Sequence, residues 1–305
     1  MKYILITPAH NEERFIIKTL ESVVSQNSLP ERWVIVNDGS TDATAEIVRT
    51  YAQRFPWIQL VNRPQRTDRD FAGKVHAFNA GLEQVKSLDF DVIGNLDADI
   101  SFDPDYLEFL MRKFADDPRL GVAGTPFLEN GYDSARDSFE GENHVAGGCQ
   151  LFRIGCFQDV DGYIPNPAGG IDWIAVTTAR MKGWKTKSFR EKRFYHYRTL
   201  GTAARSPVAA SFSYGEKDYY LGGSPLWQIF RVSYRATKQP LDGMALLAGY
   251  CWAAARRMKR PVSCELMRFH RKEQSDKLRA IFRSLLRFRK VENFSLLPER
   301  RQAED

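Results

Sequence analysis

Apolar positions in the first hundred residues alternate between short continuous runs and helical spacing. Tyr3–Thr7 is a β-prone run that stops at Pro8, and from Glu12 to Ser25 the residues Phe15, Ile16, Leu20, Val23 and Val24 share one helical face. Trp33–Val36 repeats the strand signal and breaks at Asn37-Asp38-Gly39-Ser40-Thr41-Asp42, ahead of a helix over 43–55 that Ser40 or Thr41 is placed to cap. Ile58–Val61 predicts a third strand, Lys74–Val85 a helix and Asp91–Leu96 a fourth strand. Four β/α units in succession predict a mostly parallel sheet with helices on both faces.

Further along, the spacing predicts a helix over 103–114 with Pro104 in its first turn, a strand over 120–125, a polar, loop-like stretch over 126–145, and a helix over 174–182. Asp172 falls at or near the start of that last helix, where an acid serves either as a cap matched to the helix dipole or as a chemical base. Ligands of open α/β sheets bind beyond the carboxyl ends of the strands, and polar clusters follow Thr7, Val36 and Leu96 in turn. The third of these is the sharpest. The apolar run Phe90–Leu96 ends in Asp97-Ala98-Asp99, and alternation along an extended chain points both carboxylates to one side. Two hard oxygen ligands so placed suit a divalent cation or a cation-bound diphosphate; each cluster is also what an ordinary turn uses.

Composition narrows the class. At 305 residues and 43% hydrophobic the chain can bury a large core in one domain or somewhat more. Cys149, Cys156, Cys251 and Cys264 form no Cys-x-x-Cys pair, which predicts reduced thiols in a cytosolic setting and no zinc site. The opening residues carry too short an apolar run for a signal peptide and read as a first strand. The formal charge of +6 is uneven: residues 251–305 hold 15 Lys/Arg against 7 Asp/Glu, so the basicity belongs to the tail.

With these pieces placed, the chain from about Lys2 to His196 resembles the family 2 inverting glycosyltransferases, which use nucleotide-sugar donors on a GT-A fold. The marks are Pro8-Ala9-His10-Asn11-Glu12-Glu13, Asn37 to Asp42, Gly73-Lys74 with Ala77, Asn79 and Gly81, Asp97-Ala98-Asp99 and Gly169-Gly170-Ile171-Asp172-Trp173. The resemblance implies a Rossmann-like sheet in a catalytic domain over 1–225, with a nucleotide-binding half to residue 100 and an acceptor half over 101–225, followed by a helical, basic region over 226–305. It implies that Pro8, Ala9, Asn11 and Glu12 line the base and ribose pocket, that Asp38 bonds the base, and that Lys74 lies near the diphosphate. Asp97 would hold the ribose or a metal-bound water, and Asp99 with His196 the divalent cation, Mn²⁺ or Mg²⁺. A lone histidine behind an aromatic strand is also an ordinary packed residue. Asp172 takes the place of the catalytic base, although Ile171 stands where the family usually carries a second acid. The processive members' Gln-x-x-Arg-Trp motif is missing; its nearest equivalent, Thr199–Arg205, lacks the Trp, which implies transfer of one sugar per encounter, with UDP as the expected nucleotide.

The tail carries two apolar patterns. Leu241–Ala255 is apolar except for Asp242 and is too short to span a bilayer. Leu278, Ile281, Phe282, Leu285 and Leu286 keep helical spacing, with Lys277, Arg279, Arg283 and Arg287 elsewhere on the wheel: a basic amphipathic helix that docks either on the catalytic domain or on an anionic membrane. No nucleic-acid motif accompanies the arginines, so nucleic acid is not an expected partner. The expectation is an enzyme peripheral to the inner face of the cytoplasmic membrane, acting on a glycan or lipid-linked acceptor in polysaccharide or glycolipid assembly. Two other readings compete. A sugar nucleotidyltransferase should open with a Gly-rich phosphate loop that Pro8-Ala9-His10-Asn11 lacks, and a non-catalytic scaffold would have no use for Asp97, Asp99 and Asp172.

Overall fold

The computed structural model describes residues 1–65, 72–135, 141–166, 169–198 and 206–286. Pro167-Ala168, the 199–205 stretch and the chain from Arg287 onward lie outside the described residues. The chain divides into two compact units, 1–135 with 142–199, and 136–141 with 200–305.

The first unit begins with three β/α repeats: β1 (Tyr3–Ala9), α1 (Ile16–Val24), β2 (Arg32–Asp38), α2 (Thr44–Arg54), β3 (Ile58–Arg63) and α3 (Ala72–Glu83). It continues through β4 (Val92–Leu96), β5 (Ile100–Phe102), α4 (Tyr106–Asp116), β6 (Leu120–Gly124), β7 (Phe127–Glu129), β8 (Tyr132–Asp133), β9 (Cys149–Arg153), α5 (Ile154–Asp159), α6 (Ile171–Met181), β10 (Lys185–Ser188) and β11 (Phe194–His196). Seven strands form one sheet in the order β10-β6-β9-β4-β1-β2-β3, parallel except for β9, which runs against both β4 and β6. The strand alternation of β1 divides the core. Leu5 packs with Leu20 of α1, Val48 of α2 and Leu110 of α4 on one face, while Ile4 and Ile6 pack with Phe78 of α3, Phe157 of α5 and Val176 of α6 on the other. Strands buried on both faces read as unbroken apolar runs, which is why these were visible in sequence.

Two local expectations are corrected. Neither Ser40 nor Thr41 caps α2: Asp42 Oδ1 accepts from the Thr44 amide at 3.0 Å, and the Glu13 carboxylate accepts from Ala43 at 3.0 Å. The Ser40 hydroxyl instead accepts from the Asn11 amide at 3.0 Å, tying the two loops beyond β1 and β2 together. The 126–145 stretch is not simply loop; it supplies β7 and β8 to a second sheet, ordered β5-β11-β7-β8.

The second unit holds α7 (Pro207–Tyr220), α8 (Pro225–Ala236), α9 (Pro240–Ala255) and α10 (Cys264–Leu286). Proline opens three of them, where its missing N–H is not needed. Helices α7 and α9 meet backbone to backbone: a Cβ on Gly215 would overlap the Leu246 carbonyl, and one on Gly249 the Phe212 carbonyl. The buried ridge of α10 runs through Leu266, His270, Gln274, Lys277 and Ile281. The apolar stripe expected over 278–286 is therefore split. Ile281 is buried, Phe282 and Leu286 are exposed, and Lys277 lies inside, because the wheel identifies an apolar face without saying what covers it. All four cysteines are free thiols. Among the described residues, no helix is long and apolar enough to cross a membrane.

Candidate active site

Strand β4 delivers Asp97 and Asp99 to the carboxyl edge of the large sheet, and β5 begins immediately afterwards. Antiparallel pairing of β5 with β11 sets His196 opposite Ile100, and the Tyr197 amide donates to the Asp99 carbonyl at 2.9 Å. That register carries His196 to Asp99: Nε2 stands 3.6 Å from Asp99 Oδ1. Parallel pairing of β11 with β7 places Glu129 on the far side, its Oε2 3.1 Å from His196 Nδ1. The hydroxyl of Thr19 pins β5, accepting from the Ile100 amide at 3.1 Å and donating to its carbonyl at 2.7 Å.

Asp97, Asp99 and His196 each offer one ligand atom, and those atoms lie within 4.8 Å of one another. The donor set fits a divalent cation. The His196 ring lies between two carboxylates, Glu129 at Nδ1 and Asp99 at Nε2, and with Asp97 alongside, the cluster gains from a positive charge among them. Asp99 is buried, and burial together with the neighbouring Asp97 raises its pKa, against the pull of His196, Arg198 and Lys74.

Beyond β1 and β2 the expected nucleotide residues converge. Pro8 lies past the last residue of β1 that pairs with β4, where its missing N–H removes no bond of that ladder, and Ala9 is buried opposite Asn37 of β2. Asn11 adopts φ 55°, a left-handed turn in which its side-chain oxygen accepts from the Thr41 amide at 2.9 Å. His10 Nδ1 donates to the Asp38 carbonyl at 2.8 Å, and the Asp38 carboxylate is bridged by Arg63. Glu12 is paired with Arg198, whose Nε also stands 3.6 Å from Asp99 Oδ2. Burial, and after it Asp99, pushes the Glu12 carboxyl up to about 8, with Arg198 opposing. Arg198 thus links Glu12 to the Asp97, Asp99 and His196 cluster.

Asp172 and Lys74 line one pocket together with Asn95, Phe78 and Tyr163. Asp172 sits in the first turn of α6, whose preceding Gly170 takes φ 78°. Lys74 donates to Asp97 Oδ1. Burial alone would lower the Lys74 pKa, but Asp97, with Asp172 and Asp99 beyond it, holds it above its ordinary value. Two glycines set how closely these acids approach. The Gly148 carbonyl accepts from the Asp97 amide at 2.8 Å, the Gly147 carbonyl accepts from the Asn95 side chain at 2.8 Å, and a Cβ on Gly147 would stand 2.9 Å from the Cβ of Asp172 and 3.0 Å from its Oδ2. Gly147→Ala therefore displaces Asp172 while sparing Asp97 and Asp99. Steady-state kinetics should show turnover down by about 10- to 10²-fold with nucleotide affinity nearly unchanged.

The sequence motifs reach Glu12, Asp38, Asp97, Asp99, Asp172 and Lys74, but not Glu129, Arg63, Arg198 or the Gly147-Gly148 pair. Glu129 lay in the stretch read as loop. Arg198 stood two residues past His196 with no marked spacing to Glu12. A Gly-Gly pair, here between Ala146 and Cys149, does signal a close approach, but not to what.

The geometry can be set beside known proteins. A profile of glycosyl transferase family 2 matches residues 4–153. Poly-β-1,6-N-acetyl-D-glucosamine synthase of Staphylococcus epidermidis is 34% identical over 125 residues, covering 40% of this chain and 27% of that protein. The same-named synthase of Staphylococcus aureus (strain COL) is 32% identical over 122 residues, with the same coverage. The chain thus matches only about a quarter of the length of these relatives. Among solved structures, the mannosyltransferase PcManGT from Pyrobaculum calidifontis, in complex with GDP-Man and Mn²⁺, superposes with TM-score 0.57 at 18% identity over 93% of this chain and 82% of that one. S. aureus TarS 1-349 in complex with UDP-GlcNAc gives 0.56 at 17% identity over 96% and 93%. At such identities the likeness establishes the fold, a GT-A glycosyltransferase fold, and it agrees with the profile: over residues 4–153 this chain belongs to glycosyl transferase family 2.

Proposed function

We propose that this chain is a metal-dependent, inverting, non-processive glycosyltransferase that moves one sugar from a nucleotide diphosphate, UDP first among the candidates, to a hydroxyl of a glycan or lipid-linked acceptor. The observation that carries the reading is the meeting of Asp97, Asp99 and His196 at the end of β4, beside a pocket shared by Lys74 and Asp172. When bound, a divalent cation neutralises charge on the leaving diphosphate. Asp99 and His196 would hold it, Asp97 would orient the ribose side, and Lys74 adds a fixed positive charge. Asp172 takes the acceptor hydroxyl's proton as that oxygen attacks the anomeric carbon from the face opposite the diphosphate. Pro8, Ala9, Asn11, Glu12 and Asp38 grip base and ribose.

The synthase relatives bear names of polysaccharide assembly, which supports a glycan acceptor. The basic C-terminal region supports a place at the inner face of the cytoplasmic membrane, with residues 1–225 as the catalytic region and 226–305 as the membrane-facing one. Calorimetric titration of UDP, GDP, UDP-GlcNAc, UDP-glucose and GDP-mannose, each with Mn²⁺, Mg²⁺ or EDTA, tests the reading. Cation-dependent binding of one nucleotide sugar, followed by its slow hydrolysis, is expected. No cation-dependent binding of any of the five would refute it.

A further inference from the structure

Helix α9 is apolar on both sides, and only one side is covered. Gly243, Ala245, Leu246, Gly249, Tyr250 and Ala253 are buried, and its single acid, Asp242, is buried with them. The opposite stripe, Leu241, Met244, Leu247, Ala248, Cys251, Trp252 and Ala255, holds no polar or charged residue and is exposed, Leu241 to 69% and Met244 to 67%. A water-facing surface helix normally puts its charges there. This one puts them at its ends: exposed Lys238 before it, and exposed Arg256, Arg257 and Lys259 after it. The Arg256 guanidinium lies 4.5 Å from the centre of the Trp252 ring. Helix α8 adds exposed Leu226 and Ile229.

We infer that the exposed stripe of α9 is a docking surface for an anionic lipid bilayer, with the helix lying in the plane of the membrane. Sixteen residues make a helix of about 24 Å, shorter than a bilayer core, and cations at both ends suit a helix whose two ends stay among head groups. Trp252 is the amphipathic ring that such a boundary favours. The backbone-to-backbone seat on α7 at Gly215 and Gly249 holds α9 in place from behind, so the stripe is presented on a fixed support. The inference rests on the membrane-peripheral location proposed above and moves its surface from the 278–286 stripe, whose Ile281 is already buried, to α9.

Flotation of the full chain with phosphatidylcholine vesicles, with and without phosphatidylglycerol, tests it. Wild type should float only with the anionic vesicles and be released by salt. Leu241→Ser/Met244→Ser/Trp252→Ser should abolish flotation while leaving the melting temperature within a few degrees and Mn²⁺-dependent nucleotide binding unchanged, since these side chains lie on the exposed side of α9. Arg256→Ser/Arg257→Ser/Lys259→Ser should weaken binding by a factor on the order of 10². A reporter independent of these variants is available. Cys251 lies on the stripe, so an environment-sensitive dye there, in a Cys264→Ser background, should shift to the blue with anionic vesicles; buried Cys149 and Cys156, both pushed up to about 12 by burial, will not label. Wild type that floats equally after the apolar substitutions, or a dye that does not respond, overturns the α9 assignment and leaves the membrane location standing. Wild type that never floats overturns both. A lipid-free dimer that the apolar substitutions convert to monomer identifies a second copy as the occupant and also overturns it.

Discussion

Replacing Asp172 by Asn lowers turnover by about 10²- to 10⁴-fold while nucleotide-sugar affinity stays within a few-fold of wild type. The amide keeps the side chain's shape in the first turn of α6 and its place beside Gly147, but no longer accepts a proton. Loss of the carboxylate also withdraws one of the charges that hold Lys74 above its ordinary pKa, although Asp97, which bonds it directly, supplies the larger share. Single-turnover measurement separates the two effects, because a base acts on the chemical step alone. Turnover within a few-fold of wild type would leave Asp172 as a dipole-matched acid at a helix start, and the base would have to be another group.

Asp99→Ala should weaken Mn²⁺ by more than about 10²-fold and remove the cation-dependent part of nucleotide-sugar binding, so that the variant with Mn²⁺ titrates like wild type with EDTA. The fold should survive. Arg198 keeps Glu12 as a partner, His196 keeps Glu129, and the Tyr197 amide bonds the backbone carbonyl of residue 99, which the substitution leaves in place. Calorimetry in both conditions decides it. Equal affinity for wild type and variant in Mn²⁺ would return Asp99 to the role of a strand-end acid.

What sequence reading reached and missed follows from the length and locality of each signal. Strands β1, β2 and β4 are buried on both faces, so their apolar runs stand out and their ends locate Asn11, Asp38, Asp97 and Asp99 within three residues. The second sheet escaped because β7 and β8 are three and two residues long, too short for any period to register, and Glu129 went with it. The cap of α2 differs by one step: Ser40 and Thr41 are good capping types, but the neighbouring loop claims both hydroxyls, Ser40 accepting from the Asn11 amide and Thr41 donating to the Asn11 side-chain oxygen. The tail was misread differently. Leu278, Ile281, Phe282 and Leu286 keep helical spacing, yet α10 buries the ridge through His270, Gln274 and Lys277, where Gln274 bonds the Ser224 amide at 2.7 Å. Hydropathy alone does not reveal a buried ridge that is polar.

The pairing of β5 with β11 also fixes when the site comes into being. Asp99 and His196 lie almost a third of the chain apart, whereas the three β/α repeats that carry Asn11, Glu12 and Asp38 close over short connections. Ribosomes add about 5–20 residues each second, so roughly 5–20 s separate the emergence of Asp99 from that of His196. Through that interval the loops beyond β1 and β2 can join, but the Asp97, Asp99 and His196 cluster cannot, because His196 is still to be synthesised. Short-range closures are also the faster ones in refolding. In both settings the β1–β2 loop contacts can form before Asp99 and His196 meet.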